Sequence, residues 1–246
     1  MFLVDFSNPN CLPEGSLSVV GAVNMAADLL VALVGDDNAT LEFIGDPDLT
    51  ALSAGMGTYK TSSDGSTDRH RVDFSDETKA YITASEPDMV LTLWVRYDPD
   101  VAVSHQLFSF GDADTNPAPF RFGWDADGHP YYGPSEPLPV GIFTEDATGL
   151  AQIGMSRNEV FFNGRKLCNT TTDYRQHYDD FVANLDDGGG IGTFITYFFS
   201  GAVAADSMIF YRMMLENYTA SGRTALDAVQ ADYTYVMENA GFVETA

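Results

Sequence analysis

The sequence predicts an all-β fold: an antiparallel β-sandwich with an N-terminal extension and one C-terminal α-helix. Three observations carry this. Between Met89 and Tyr132 the chain reads MVLTLWVRYD, HQLFSFGD and FRFGWDADGHPYY, three aromatic-rich apolar runs separated by Asp, Asn, Pro and Gly clusters. That is the pattern of consecutive antiparallel strands. Asn163-Gly164, between EVFF and RKLC, is a two-residue hairpin signal, because both turn positions need positive φ. After Ser221 the apolar period changes from strand-like to helical.

In chain order, FLVDF (2–6) predicts a short edge strand, followed by turn residues at Asn8-Pro9-Asn10 and Leu12-Pro13-Glu14-Gly15. Ser16 to Val23 reads as a strand. Met25 to Val34 admits either a short helix capped by Asn24 or a second strand. Ala39 to Ile44 is a strand between two Gly-Asp turns. Residues 53–68, rich in Ser, Thr and Gly, read as a long exposed loop. That loop divides the chain into an anchoring or packing segment (1–60), a sandwich (61–218) and a C-terminal region (219–246). Short strands are expected at 71–74, 80–83, 140–143, 150–155, 159–162 and 165–168. A polar loop over 169–190 ends in Gly188-Gly189-Gly190, and strands follow at 191–199 and 201–211. Leu226, Val229, Tyr233, Val236 and Met237 then recur at helical spacing. Thr224 and Asp227 form a capping-box pattern, so a helix over 222–239 ending at Gly241 is expected, packed on the sandwich or on a neighbour.

Charge narrows the partners. Asp and Glu number 36 against 12 Lys and Arg, a net charge of −24 over 246 residues. Such a surface repels phosphates and anionic lipid, which argues against nucleic-acid partners and membrane insertion. It suits high salt, where self-repulsion is screened, and equally an acidic protein of no special habitat. The most apolar segment, Leu17 to Val34, is interrupted by Asn24 and Asp28 and is too short for a membrane span. The first residues carry no signal-peptide pattern. Cys11 and Cys168 form no zinc motif; two free thiols are expected, with a disulfide as the alternative.

The order of the strand motifs resembles the concanavalin A-like jelly rolls, in particular the laminin-G-like group. VDFS, AYITAS and MVLTLWVRYD are similar to its opening strands, with Trp94 and Arg96 at the "Trp-Val-Arg" positions. QLFSFGD, FRFGWDADGHPYY and EVFFNGRKL resemble the following strands and the "Asn-Gly" hairpin. IGTFITYFFSGAVAADSMIFYRMML resembles the closing strands. The resemblance covers about residues 70–218. Ala151-Gln152-Ile153 departs from it, where the family's usual Trp is replaced. Residues 1–60 and the C-terminal helix lie outside it.

The resemblance implies either glycan binding or glycan hydrolysis, since one fold hosts both. Hydrolases of this fold carry Glu-x-Asp-x-Glu on one strand, which puts one carboxylate to attack and one to donate a proton. Here Glu86 and Asp88 flank Pro87 in a turn, with no third acid, so no enzymatic activity is expected. His70, His105, His129 and His177 lack metal-ligand spacing, and no phosphate loop or Gly-x-Ser-x-Gly elbow occurs. Asp112, Asp114, Asp125 and Asp127 are short-spaced carboxylates at strand ends, hard ligands suited to Ca²⁺; ordinary turn chemistry accounts for the same residues. His129, Tyr131, Tyr132, Tyr174 and Tyr178 lie at turns or in the long loop, where aromatic rings beside polar groups form sugar platforms. Trp94 and Trp124 read as core. Together these features predict a non-enzymatic adhesion or decoration protein of a virion, a phage head fibre, capsid decoration or tail fibre; the alternatives are a glycan-processing enzyme of the same fold with an atypical site and a purely structural assembly protein. Its expected partners are host-surface or other glycans and other virion subunits, and it is expected to be a homo-oligomer.

Overall fold

The computed structural model describes residues 2–5, 41–44, 56–57, 59–61, 67–69, 71–74, 88–97, 105–110, 120–124, 130–132, 136–137, 149–170, 189–192 and 208–240. The chain is an antiparallel β-sandwich carrying one C-terminal helix. The first sheet is built from β1 (Phe2–Asp5), β3 (Met56–Gly57), β7 (Met89–Tyr97), β12 (Gly149–Ser156), β13 (Glu159–Phe162), β14 (Arg165–Asn169) and β16 (Met208–Asn217). Its order is β1-β16-β7-β12-β13-β14, with β3 also paired to β16. The second sheet runs β11 (Glu136–Pro137), β10 (Pro130–Tyr132), β9 (Phe120–Trp124), β8 (His105–Phe110), β15 (Gly189–Gly192), β6 (Arg71–Phe74), β2 (Leu41–Ile44). A separate hairpin joins β4 (Tyr59–Thr61) to β5 (Thr67–Arg69).

Each sheet takes a strand from the first 60 residues. β1 lies against β16, with Leu3 opposite Met214, and β2 lies against β6, with Phe43 opposite Val72. Three expectations are corrected. Residues 53–68 are not one continuous loop but hold β3, β4 and the start of β5. Strands of two or three residues in Ser/Thr/Gly-rich sequence are too short to show period-2 alternation. The glycine run assigned to a loop instead enters the second sheet as β15, where Ile191 pairs with both Val72 and Phe108. The last strand continues to Asn217, beyond the expected end at 211. The expected elements at 16–23, 25–34, 80–83 and 140–143 lie outside the described residues.

β7 is the axis of the first sheet, paired to β16 over its whole length and to β12 from Val90 to Tyr97. Its near-continuous apolar sequence reflects burial on both faces. Leu91, Leu93 and Val95 are fully buried on one face, with Ile153 of β12 and Met213 of β16, on the inner side of the sandwich. Val90, Thr92 and Trp94 are equally buried on the other face, beneath α1 (Ala225–Asn239). The helix therefore packs on the chain's own sheet. Val90, Phe161 and Met214 receive Ala225, Ala228 and Val229, while Trp94 and Tyr211 receive Val236. The observed face is rotated from the expected stripe: Met237 is 45% exposed, and Asp232 takes a core-facing position.

α1 starts later than expected because a capping box fixes its first turn. The Thr224 hydroxyl accepts from the Asp227 N–H (3.1 Å), and the Asp227 carboxylate accepts from the Thr224 N–H (3.0 Å). Ala240 ends the helix in extended conformation, its N–H donating to Val236 O, and Gly241 lies outside the described residues. Thr224→Ala is expected to cost about 1 kcal/mol in a urea titration. The bonds from the Thr224 hydroxyl and then from its N–H hold the Asp227 carboxyl below its ordinary value. A depressed acid contributes stability that is present above its unfolded value, about 4, and is lost as pH falls through its folded one. The protection factors of the first-turn amides of α1, observed exchange set against the intrinsic rate at each pH, are thus expected to fall as pH drops below that range.

Candidate functional site

The most concentrated polar chemistry among the described residues lies between α1 and the sheet. Asp232 is buried, and its carboxylate collects five contacts from sheet side chains. Oδ2 accepts from Thr92 Oγ1 (2.9 Å), Trp94 Nε1 (2.9 Å) and Gln152 Nε2 (2.8 Å). Oδ1 accepts from Arg212 Nε (3.0 Å) and lies 2.9 Å from the second guanidinium nitrogen. Register explains the convergence. Trp94 pairs with Gln152 on one side and with Arg212 on the other, and Thr92 follows two residues along the same face. The Arg212 guanidinium also lies over the Tyr235 ring, 5.2 Å from its centroid. Tyr233 stacks on Trp94, with centroids 5.6 Å apart and planes 14° from parallel.

Gln152 ties this cluster to the Asn163-Gly164 turn. Its Nε2 also donates to Val229 O (3.1 Å), and its Oε1 accepts from the Gly164 N–H (3.0 Å). Both turn residues have the positive φ expected of them, 46° and 72°. Asn163 adds two bonds to the Gln152 backbone, one through its N–H and one through Oδ1. A Cβ on Gly164 would stand 3.1 Å from the Tyr233 ring, so glycine there serves both backbone and packing.

This cluster is shut off from solvent. A substrate could not reach Asp232, whose charge is already matched by Arg212. Glu216, at the other end of the same face, is buried too. Its Oε1 accepts from the Ser221 hydroxyl and lies 3.6 Å from Arg223 Nε, while Oε2 has no hydrogen-bond partner among the described residues. Cys168 is a half-buried free thiol. Burial pushes it up from its ordinary value, against a smaller opposing pull from Lys166. Slower alkylation by iodoacetamide than an unfolded control at pH 8 is expected, since only the thiolate reacts. Burial, then the carboxylates of Asp88 and Glu159, likewise raise the Tyr218 phenol. Neither group is primed as a nucleophile.

The residues singled out in the sequence fall elsewhere. Tyr131 and Tyr132 occupy successive positions of β10, which belong to opposite faces of the second sheet. Tyr131 pairs with Gly123 and Pro137, Tyr132 with Phe122 and Glu136. Asp125, Asp127 and His129 fall between β9 and β10, Asp112 and Asp114 between β8 and β9, and Tyr174 and Tyr178 between β14 and β15. All seven lie outside the described residues. Strand register still orders their attachment points. Phe110 pairs with Phe120 and Gly189, whereas Trp124 pairs with His105 and Pro130. The connections holding Asp112 and Asp114 and holding Tyr174 and Tyr178 thus meet the sheet at one end of β8 and β9. The connection holding Asp125, Asp127 and His129 leaves from the other end. Among the described residues no group of three or more His, Cys, Asp or Glu could hold a metal ion, and no helix is long and apolar enough to cross a membrane.

Sequence reasoning missed the Asp232 cluster, although a signal was present: an acid at helical spacing between Val229 and Val236. Gln152 was visible within the apolar run of β12, but its partners were not.

No protein-family model and no curated protein sequence matches the chain. Solved structures do resemble it. A Trypanosoma rangeli sialidase in complex with 2,3-difluoro-KDN is 13% identical, with a TM-score of 0.54 over 95% of this chain and 32% of the sialidase. A botulinum neurotoxin type C structure is 9% identical, with a TM-score of 0.52 over 96% of this chain and 51% of that one. The penetration of cells by that toxin is dependent upon interaction with two ganglioside molecules. The chain thus spans about a third of the sialidase and about half of the toxin chain. At these identities the likeness is one of fold.

Proposed function

We propose that this chain is a non-enzymatic glycan-binding sandwich. Its finer role in this reading is adhesion or decoration on a virus particle, as a phage head fibre, capsid decoration or tail fibre. The observation that supports glycan binding is the sandwich itself, which is similar to two structures connected with carbohydrate: a sialidase holding a sugar-acid derivative and a toxin dependent on gangliosides. The absence of turnover is supported by the missing Glu-x-Asp-x-Glu strand and by the state of the acids at the helix–sheet boundary. Asp232 is ion-paired and Glu216 is buried, so neither meets a substrate in this conformation. The particle role draws on the charge of −24, which suits a soluble, surface-displayed subunit.

In this conformation the central strands of the first sheet are covered on both faces. An open glycan site then belongs to the second sheet and its connections, at the end carrying Asp112, Asp114, Tyr174 and Tyr178 or at the end carrying Asp125, Asp127 and His129, with Tyr131 or Tyr132 on the sheet face and the aspartates of that end as Ca²⁺ ligands. A glycan array followed by calorimetry tests this, with and without EDTA. Saturable binding without release of reducing ends is the expected result. Failure to bind any glycan refutes the binding reading, and turnover of a bound polysaccharide refutes the non-enzymatic one. Mass spectrometry of purified particles tests the virion role, which fails if the chain is not among their proteins.

A further inference from the structure

We propose that the sheet face beneath α1 is a binding face for carboxylated sugars, filled in this structure by the chain's own Asp232 and Tyr233. The inference rests on the glycan-binding reading but assigns a different face from the second-sheet aromatics.

The argument begins with what α1 presents to the sheet. Its apolar contacts come largely from small residues: Ala225, Ala228, Val229 and Val236. The larger groups are Leu226, half-buried at the edge of the Ala225–Val229 contact, and two neighbours in sequence. Asp232 places a carboxylate among Thr92, Trp94 Nε1, Gln152 and Arg212, and Tyr233 lays a six-membered ring flat on Trp94. A pyranose bearing a carboxylate has the same two features. Its ring offers a face of C–H bonds with partial positive charge to the negative face of an indole. Its carboxylate fits a guanidinium flanked by neutral donors. Every donor in the cluster belongs to the sheet, so the recognition chemistry stays behind when the helix leaves.

The exchange is electrostatically balanced. One carboxylate replaces another, and Arg212 is never left buried without a counter-charge, the state that is most costly. The turn into α1 supplies a pivot. Gly222 has φ +71° with open space around its Cβ position, and Thr219, Ala220 and Ser221 beside it are exposed. Next to this turn Glu216 Oε2 is buried with no hydrogen-bond partner among the described residues. α1 is thus an internal competitor, and the apparent affinity of the face is its intrinsic affinity reduced by the fraction of open molecules.

Hydrogen exchange on the full chain tests this without any substitution. Excess N-acetylneuraminate or glucuronate is expected to speed exchange of the 225–239 amides several-fold, and glucose to leave it unchanged. In a second test, Val229→Asp with Val236→Asp loosens the helix while keeping every donor. This variant is expected to bind an immobilised carboxylated oligosaccharide at least ~10-fold more tightly than the native chain. Adding Arg212→Gln abolishes the gain. Exchange that no carboxylated sugar alters overturns the proposal, as does a folded, loosened variant that gains no affinity. If the native chain still binds neutral glycans, the function reading stands and only this inference fails. If no sugar of any kind binds, both fail. Should the double variant not fold, the exchange experiment decides alone.

Discussion

Asp232→Ala is expected to destabilise the folded chain by about 3–5 kcal/mol, the cost of stranding a buried charge. Arg212 is 5% exposed and has Asp232 as its buried counter-ion, so the substitution leaves a guanidinium in the interior. Thr92, Trp94 Nε1 and Gln152 lose the same acceptor. The size of this effect does not measure what the pair contributes. Replacing both partners by apolar groups of similar volume removes the charge and its desolvation cost together. Arg212→Met combined with Asp232→Leu is therefore expected to recover the part of the loss due to the stranded charge, while the three neutral donors stay without their acceptor. Chemical denaturation of Arg212→Met, Asp232→Leu and the double variant closes the cycle. Additive losses in the double variant would show that the ion pair is not the source of the effect.

Gln152→Leu is expected to cost about 2–4 kcal/mol, although leucine is nearly isosteric and the site is wholly buried. The amide connects three elements: Nε2 reaches Val229 O and Asp232 on the helix, and Oε1 reaches the Gly164 N–H in the β13–β14 turn. Leucine leaves the Gly164 N–H buried with no acceptor, at about 1–3 kcal/mol, and removes one of the donors around Asp232. Gln152→Glu separates the two halves of this role. It keeps the acceptor for Gly164 but sets a second carboxylate beside Asp232, so it is expected to destabilise more as pH rises through the carboxylate range. Urea titrations at pH 4 and pH 7 check this. Equal losses at both values would contradict it.

Much of the sandwich was legible in single residues. The Asn163-Gly164 dipeptide announced its hairpin because positive φ at two successive positions is a local steric demand. β7 was legible because nine residues with hardly a polar interruption fit a central strand. The capping box at Thr224 and Asp227 was legible because a span of four residues suffices to make it. Elements lacking local density were missed. β3, β4 and the glycine-rich β15 owe their pairing to partners at β16, β5, β6 and β8, and their own composition favours loops.

The site followed the same division. By itself, the sequence determined the class of fold, a net charge of −24, the lack of a Glu-x-Asp-x-Glu pattern in these residues and the existence of an amphipathic C-terminal helix. The tertiary structure alone decided where that helix goes and what it covers. Asp232 lies 20 residues from Arg212, 80 from Gln152 and 138 from Trp94. Strand register brings the last three together and helix packing adds Asp232; register depends on which strands pair rather than on any local pattern. An acid on a helix reads as solvated until the opposing face is known; here that face holds the guanidinium and the three neutral donors that make its burial stable.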